Sequence, residues 1–181
     1  MRVASGAIAK KFLNLNGIHT EGYVSQIGTI KAEKIDLGNA KTNKYFFADE
    51  SKLADLDSMF ADLIAEGNSV GAKLGVRVSN CPVGLGEPVF DKLDAELAKA
   101  IMSINAVKSV TIGNVENILE LRGSEVRDEI TQDGFKSNNA GGILGGISNG
   151  DLIELDFIIK PTSSIKSKGN TINANGEEVE V

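Results

Sequence analysis

Histidine and cysteine each occur once in these 181 residues, as His19 and Cys81, and that scarcity removes several kinds of chemistry at the outset. A single cysteine cannot form an intrachain disulfide, and a metal site needs several ligands of this kind. Cys81 reads as a small buried thiol of a reducing compartment, because reactive thiols sit in electropositive, accessible settings. His19 stands just before a predicted strand with no partner nearby. It reads as structural or exposed, since general acid–base work needs a tuned environment and a substrate within reach. Nothing marks a nucleophile beside its base. Long apolar runs are also missing: none approaches the ~18 residues of a membrane-spanning helix. The opening MRVASGAIAKKFL fits an export signal poorly, because Lys10 and Lys11 interrupt its apolar part, so the compartment reads as cytoplasmic. There is no excess of basic residues. The formal net charge is -6, and acidic residues are mixed among Lys31, Lys34, Lys41 and Lys44. A nucleic-acid partner calls for Lys and Arg clustered on one face.

What remains is the profile of a soluble globular protein, 41% hydrophobic and 24% charged. The length is enough for one domain with a core. Helical spacing of Ala4, Ile8 and Phe12 predicts that the chain opens in a helix ended by Asn16-Gly17. A strand is expected over 21–30 and an irregular polar connection over 31–50. A helix is expected over 51–66, with Ser51 as its cap and Leu53, Leu56, Phe60, Leu63 and Ile64 as its stripe. A strand over 70–79 leads to a Gly/Pro loop. The next helix is expected to carry Pro88 near its first turn, with Val89, Leu93, Leu97, Ile101 and Ile104 on one side. Strands follow at 107–112 and 152–159, separated by a charged irregular stretch over 116–137 and a glycine-rich loop. A short hairpin closes the chain, with turns at Gly169-Asn170 and Asn175-Gly176. Alternating strands and helices argue for an α/β layered domain.

Two stretches are candidates for ligand binding. The first is NNAGGILGGISNG, in which Gly141, Gly142, Gly145, Gly146 and Gly150 allow positive φ and close backbone approach. The spacing is neither a phosphate loop, which needs a Lys after its last Gly, nor a dinucleotide fingerprint, which needs a preceding strand. Tight turns joining elements are the plainer explanation of such glycines. The second is KPTSS, Lys160 to Ser164, at the end of an apolar strand. A lysine with clustered hydroxyls suits an anion or a cofactor phosphate, and a solvated strand end is the plain alternative. Asp57 and Ser69 read as polar groups at helix and strand ends.

Several segments together resemble the chorismate synthase family. They are MRVASGAIAKKFL, GYVSQIG, GLGEPVFDKLDAELAKAIMSI, AVKSVTIG, LRGSEVRDEI, GFKSNNAGGILGGISNG, KPTSSI and the final TIN and GEEVEV, all in family order. The match is thinnest from Leu15 to Phe47. At Asn114 to Asn117, relatives carry a glycine-and-phenylalanine stretch, so a local loop difference is expected there. The resemblance implies an α/β fold, a layered β-α-β sandwich with helices between two sheets, here incomplete. Residues 1–181 would form a single domain that is a truncated portion of that fold. It further implies conversion of 5-enolpyruvylshikimate 3-phosphate to chorismate by anti-elimination of phosphate. That reaction belongs to the shikimate pathway of aromatic amino acid biosynthesis.

The implied cofactor is reduced FMN, with NADPH as the flavin reductant in some members. The implied assembly is a homotetramer, with no nucleic acid or membrane as partner. Carried over residue by residue, the flavin contacts are Asn105, Ala106, Gly145, Lys160, Pro161, Thr162, Ser163 and Ser164. The glycine loop and KPTSS are then expected on one side of the same site. No catalytic residue and no metal ligand carries over. The family's Gly-Glu-Ser-His-Gly motif, its second functional histidine, its substrate arginines, its Arg-Ser-Ser flavin motif and its Arg-His-Asp-Pro-Cys segment have no counterpart here. The chain alone is therefore expected to be inactive. The alternative is a non-catalytic truncated domain that folds and self-associates without holding FMN tightly.

Overall fold

The computed structural model describes residues 1–115 and 118–181, so part of the loop difference expected at 114–117 lies outside the described residues. Helix α1 (Arg2–Leu15) ends at Asn16 and Gly17 as its spacing predicts, yet none of its residues is buried. Ile8 and Phe12 are 75% and 66% exposed, so the apolar stripe is real and uncovered in this chain. The helix is tied down at its start by Arg2, whose guanidinium donates to Ser103 Oγ at 2.8 Å and to Ser103 O at 2.9 Å.

Strand β1 (His19–Ile27) turns at Gly28 into the two-residue strand β2 (Ile30–Lys31), where one continuous strand is expected. Gly28 takes φ 54, which breaks the extended run. The stretch after it is not wholly irregular. Helix α2 (Leu37–Thr42) forms there because the Asp36 carboxylate accepts from the amides of Gly38 and Asn39. Helix α3 (Leu53–Glu66) follows a single 3-10 turn at Glu50–Lys52. Asp49 caps that turn, and α3 itself, with Lys52 at its N-terminal boundary, has no side-chain cap, so Ser51 is not its cap. Asp49 accepts from Ser51 N and Oγ and from the amides of Glu33 and Lys34. Those bonds, from the Ser51 hydroxyl first, lower its pKa from the usual carboxylate value to about 2. Gly67 closes α3 in the left-handed conformation.

Strand β3 (Ala72–Ser79) leads through the loop to α4 (Leu93–Met102), which begins later than expected. Pro88 and Val89 precede the helix, and Val89 is 74% exposed rather than part of the stripe. Then come β4 (Val107–Ile112), the short α5 (Gly123–Val126), and the hairpins β5 (Ile130–Thr131) with β6 (Gly134–Phe135) and β7 (Ile143–Leu144) with β8 (Ile147–Ser148). Strand β9 (Ile153–Ile159) and the closing hairpin β10 (Asn170–Ile172) with β11 (Glu178–Glu180) complete the chain.

Five strands form one antiparallel sheet in the order β2-β1-β3-β9-β4. Its two faces differ sharply. On one, Leu93, Leu97 and Ile101 of α4 pack on Val107, Val110, Ile112, Ile153, Leu155 and Phe157. Beside them, Leu56 and Phe60 of α3 pack with Val24, Ile27 and Phe47. The other face is ionic. Lys73 pairs with Asp156 at 2.9 Å and Arg77 with Glu154 at 2.7 Å across β3 and β9. The Arg77 guanidinium also stands 5.6 Å from the centre of the Tyr23 ring. Gly75 is required beneath that ring, since a Cβ there would lie 2.3 Å from it. Among the described residues no helix is long and apolar enough to cross a membrane.

Candidate functional site

The end of the sheet where β9 finishes and β4 begins holds most of the residues that sequence reading singled out. The turn from α4 into β4 passes through Asn105 and Ala106. Ala106 has φ 68, a left-handed conformation that costs a non-glycine residue on the order of 1–2 kcal/mol. That turn is fixed by the Lys160 amide, which donates to Ala106 O at 2.9 Å. Asn105, Ala106 and Lys160 are thereby held together at one corner.

From Lys160 the chain runs along the turn between α3 and β3. Ser69 Oγ donates to Thr162 O at 2.6 Å, and the Lys166 amide donates to Gly67 O at 2.9 Å. Gly71 permits this approach, because a Cβ there would meet Ile159 O at 2.7 Å and Pro161 Cδ at 3.2 Å. The acceptors of the latch are main-chain oxygens. The side-chain hydroxyls of Thr162, Ser163 and Ser164 have no hydrogen-bond partner among the described residues, and all three are exposed. The role of Ser69 as latch was not legible beyond its being a polar residue at a strand end.

A cleft of about 410 Å³ opens at this corner, with Ile158, Ile159 and Pro161 as its apolar floor and Lys73, Lys108 and Lys160 around it. Its lining contains no carboxylate. A volume of a few hundred Å³ is in the range of small-molecule and cofactor sites.

Gly145 is elsewhere. It forms the turn of the β7–β8 hairpin, which is bonded to the start of α4 through Leu93 N and Gly146 O at 2.8 Å. Asn105 lies beyond the end of that ten-residue helix. About 15 Å of helix therefore separates the two. The glycine loop and KPTSS sit at opposite ends of β9, not on one side of a common cleft. The loop itself is clamped. Asp128 accepts from Ser137 Oγ at 2.6 Å and from the amides of Asn139 and Ala140 at 2.8 Å each. Burial pushes Asp128 up, but those bonds outweigh it and its pKa is lowered. Ser148 is buried and donates to Pro82 O at 2.6 Å while accepting from the Leu85 amide at 2.9 Å.

His19 and Cys81 behave as their scarcity suggests. His19 is exposed, with Nδ1 3.1 Å from Asn14 Oδ1. It opens β1, while Gln26 near the other end of that strand borders the cleft, about 23 Å further along. Cys81 is buried, and burial pushes its thiol up. No group of three or more potential metal ligands occurs among the described residues.

An α/β chain with an ionic sheet face and a cationic, apolar-floored cleft at a sheet end is suited to holding an anion with an apolar part. The family model for chorismate synthase matches residues 1–181, and the chain belongs to that family. It is similar to a solved structure described as a chorismate synthase, with a TM-score of 0.82 and 32% sequence identity. The likeness covers 90% of this chain and 55% of that one, so the chain spans about half the length of that relative.

Proposed function

We propose that these residues form the part of a chorismate synthase that holds FMN against its substrate, in the conversion of 5-enolpyruvylshikimate 3-phosphate to chorismate by anti-elimination of phosphate. The observation that carries this reading is the corner where Ala106 and Lys160 are bonded together beside three unpartnered hydroxyls. The donor set fits an anionic flavin nucleotide: an ammonium and hydroxyls suit its phosphate and hydroxylated chain, and the apolar floor suits its ring. The holding residues are Asn105, Ala106, Lys160, Pro161, Thr162, Ser163 and Ser164. Gly145 belongs to the same proposed set, but it is the member the geometry does not join to the others. When bound, reduced FMN supplies transient electron density as phosphate leaves. This chain's residues bind and orient it, and their apolar floor excludes water from one side. NADPH is the proposed source of electrons for the flavin in some members, and the proposed setting is a cytoplasmic homotetramer.

The 181 residues alone are proposed to be inactive and to bind FMN weakly. Their one histidine stands far from the cleft, so no imidazole acid serves it from this chain. Chorismate formation with photoreduced FMN should stay at background. Turnover near that of an intact family member would overturn this. In a full-length family protein carrying this segment, Lys160→Ala should loosen FMN by about 1.5–3 kcal/mol, the worth of a charged hydrogen bond. Unchanged affinity in a fluorescence titration would remove Lys160 from the site.

The second reading, a domain that self-associates without binding FMN tightly, is favoured by one observation. Helix α1 exposes Val3, Ile8, Phe12 and Leu15, and Phe90 is 90% exposed. Exposed apolar surface of this kind favours association. A strictly monomeric species at high concentration in sedimentation would count against it.

A further inference from the structure

Two strands of the sheet lose register at the cleft, and in each case the slip turns a polar side chain outward. In β4, Val107 pairs with Ile159 and Ser109 with Ile158, which leaves Lys108 as an extra residue. The packing agrees. Val107, Val110 and Ile112 all join the core under α4, and the odd spacing between Val107 and Val110 is possible only if the strand bulges between them. In β1 the same thing happens at Ser25: Val24 pairs with Leu74 and Gln26 with Lys73, while Val24 and Ile27 share one core. A regular strand would alternate strictly. Bulges re-aim side chains and concentrate beside functional sites. Here Lys108 and Gln26 both end up lining the cleft.

The charge of the cleft then falls to two groups. Lys73 is neutralised by Asp156 at 2.9 Å. Lys108 and Lys160 have no ion-pair partner among the described residues. They are connected through the backbone, because the Lys160 amide is bonded to Ala106 O two residues before Lys108. What sets these two apart from the other unpaired lysines is that both line one cleft whose lining holds no carboxylate. An oxygen-rich dianion satisfies both, and the low-dielectric floor strengthens its attraction to them.

We propose that Lys108, turned out by the β4 bulge, acts with Lys160 to bind a phosphomonoester dianion in this cleft. The assignment rests on the flavin reading only for which ester is bound: FMN or another phosphorylated ligand offers the same group.

The test is made on the 181-residue chain with its lysines reductively methylated with carbon-13, which keeps their charge and gives each a resolved NMR signal. Inorganic phosphate, FMN and riboflavin are titrated separately. The signals of Lys108 and Lys160, assigned with Lys108→Arg and Lys160→Arg, should saturate together with phosphate. The exposed Lys99 should drift without saturating. Lys108→Ala should weaken FMN and phosphate by about tenfold, Lys108→Arg by no more than about threefold, and riboflavin affinity should not change. Folding of each variant is checked by circular dichroism. If Lys108 follows Lys99, or if FMN binds Lys108→Ala as it binds the parent, the proposal is wrong and a flavin site resting on ring contacts can still stand. If phosphate saturates both lysines while FMN binds no better than phosphate, the dianion site stands and the flavin reading falls.

Discussion

The glycine hairpin corner and the Lys160 corner stand at opposite ends of β9, and they treat their polar groups in opposite ways. At the hairpin, the Asp128 carboxylate, the Asn138 and Asn139 side chains and the buried Ser148 are all consumed by internal hydrogen bonds. At the other corner, backbone groups and the Ser69 hydroxyl make the latch, while the Lys108 and Lys160 ammonium groups and the hydroxyls of Thr162, Ser163 and Ser164 are left facing solvent. A polar group already bonded inside the fold has little left to offer a ligand, whereas an unpartnered one can exchange water for a ligand at little cost. Glycine density goes with internally bonded scaffold in the first corner, and the second leaves its charge and hydroxyls unpartnered among the described residues, as the proposed binding role requires.

That contrast can be broken by substitution, and the largest effect belongs to the hairpin corner. A Cβ on Gly141 would lie 2.5 Å from both Cα and N of Gly113, with Glu154 O at 2.8 Å, and the residue holds φ 63. Gly141→Ala should therefore cost about 3–5 kcal/mol in urea unfolding, since backbone rather than a movable side chain must yield. A loss below 1 kcal/mol would mean that the two loops do not pack as described.

Next in size is the clamp. Asp128→Ala should cost about 2–3 kcal/mol, the loss of three hydrogen bonds to a charged acceptor with their donors left partly buried. The contribution is pH dependent in a fixed direction. The folded pKa is lowered, so the stabilisation is present above the unfolded value of ~3.9 and is lost as pH falls through the folded one. The gap in urea midpoint between the parent and Asp128→Asn should be full at pH 6 and shrink toward pH 2. A gap that stayed constant over that range would show that the carboxylate charge contributes nothing.

Gly145→Ala separates the tip of the hairpin from its base. Nothing lies within 4 Å of a Cβ built there, so only the positive φ of 61 opposes the change. The expected cost is about 1–2 kcal/mol, and a loss as large as that of Gly141→Ala would place a neighbour against the tip. Smallest of all, Lys108→Ala and Lys160→Ala should move the unfolding midpoint by no more than about 0.5 kcal/mol, because both side chains are exposed and unpaired. A larger loss of stability would make them part of the scaffold and erase the difference between the corners.

Local signals carried the elements well where one residue type decides the backbone. Gly67 ends α3, Asn16 and Gly17 end α1, and β4 runs over the residues expected, 107–112. They failed where the deciding contact is a side chain reaching to the main chain. Asp36 caps α2 inside a stretch read as irregular, and Asp49, not Ser51, is the capping side chain of the turn ahead of α3. Pro88 suggested an early helix start, but α4 waits until Leu93 can bond Gly146 O. At the cleft, Lys160 and Pro161 of KPTSS stood out by their composition at a strand end. Lys108 did not, because a bulge is a mismatch between two strands and neither strand records it alone.

The sequence by itself determined the family, the α/β class, the strand that ends at Ile159 and the lysine with hydroxyls that follows it. Those depend on residue order and local backbone preference, which a linear chain states directly. Only the tertiary structure decided that Asn105, Ala106 and Lys160 share a corner, that Gly145 lies the length of α4 away from them, and that Lys108 joins the cleft. Those are facts of strand register and of which hydrogen bonds are already taken, and both are set by segments far apart in the chain meeting at one place.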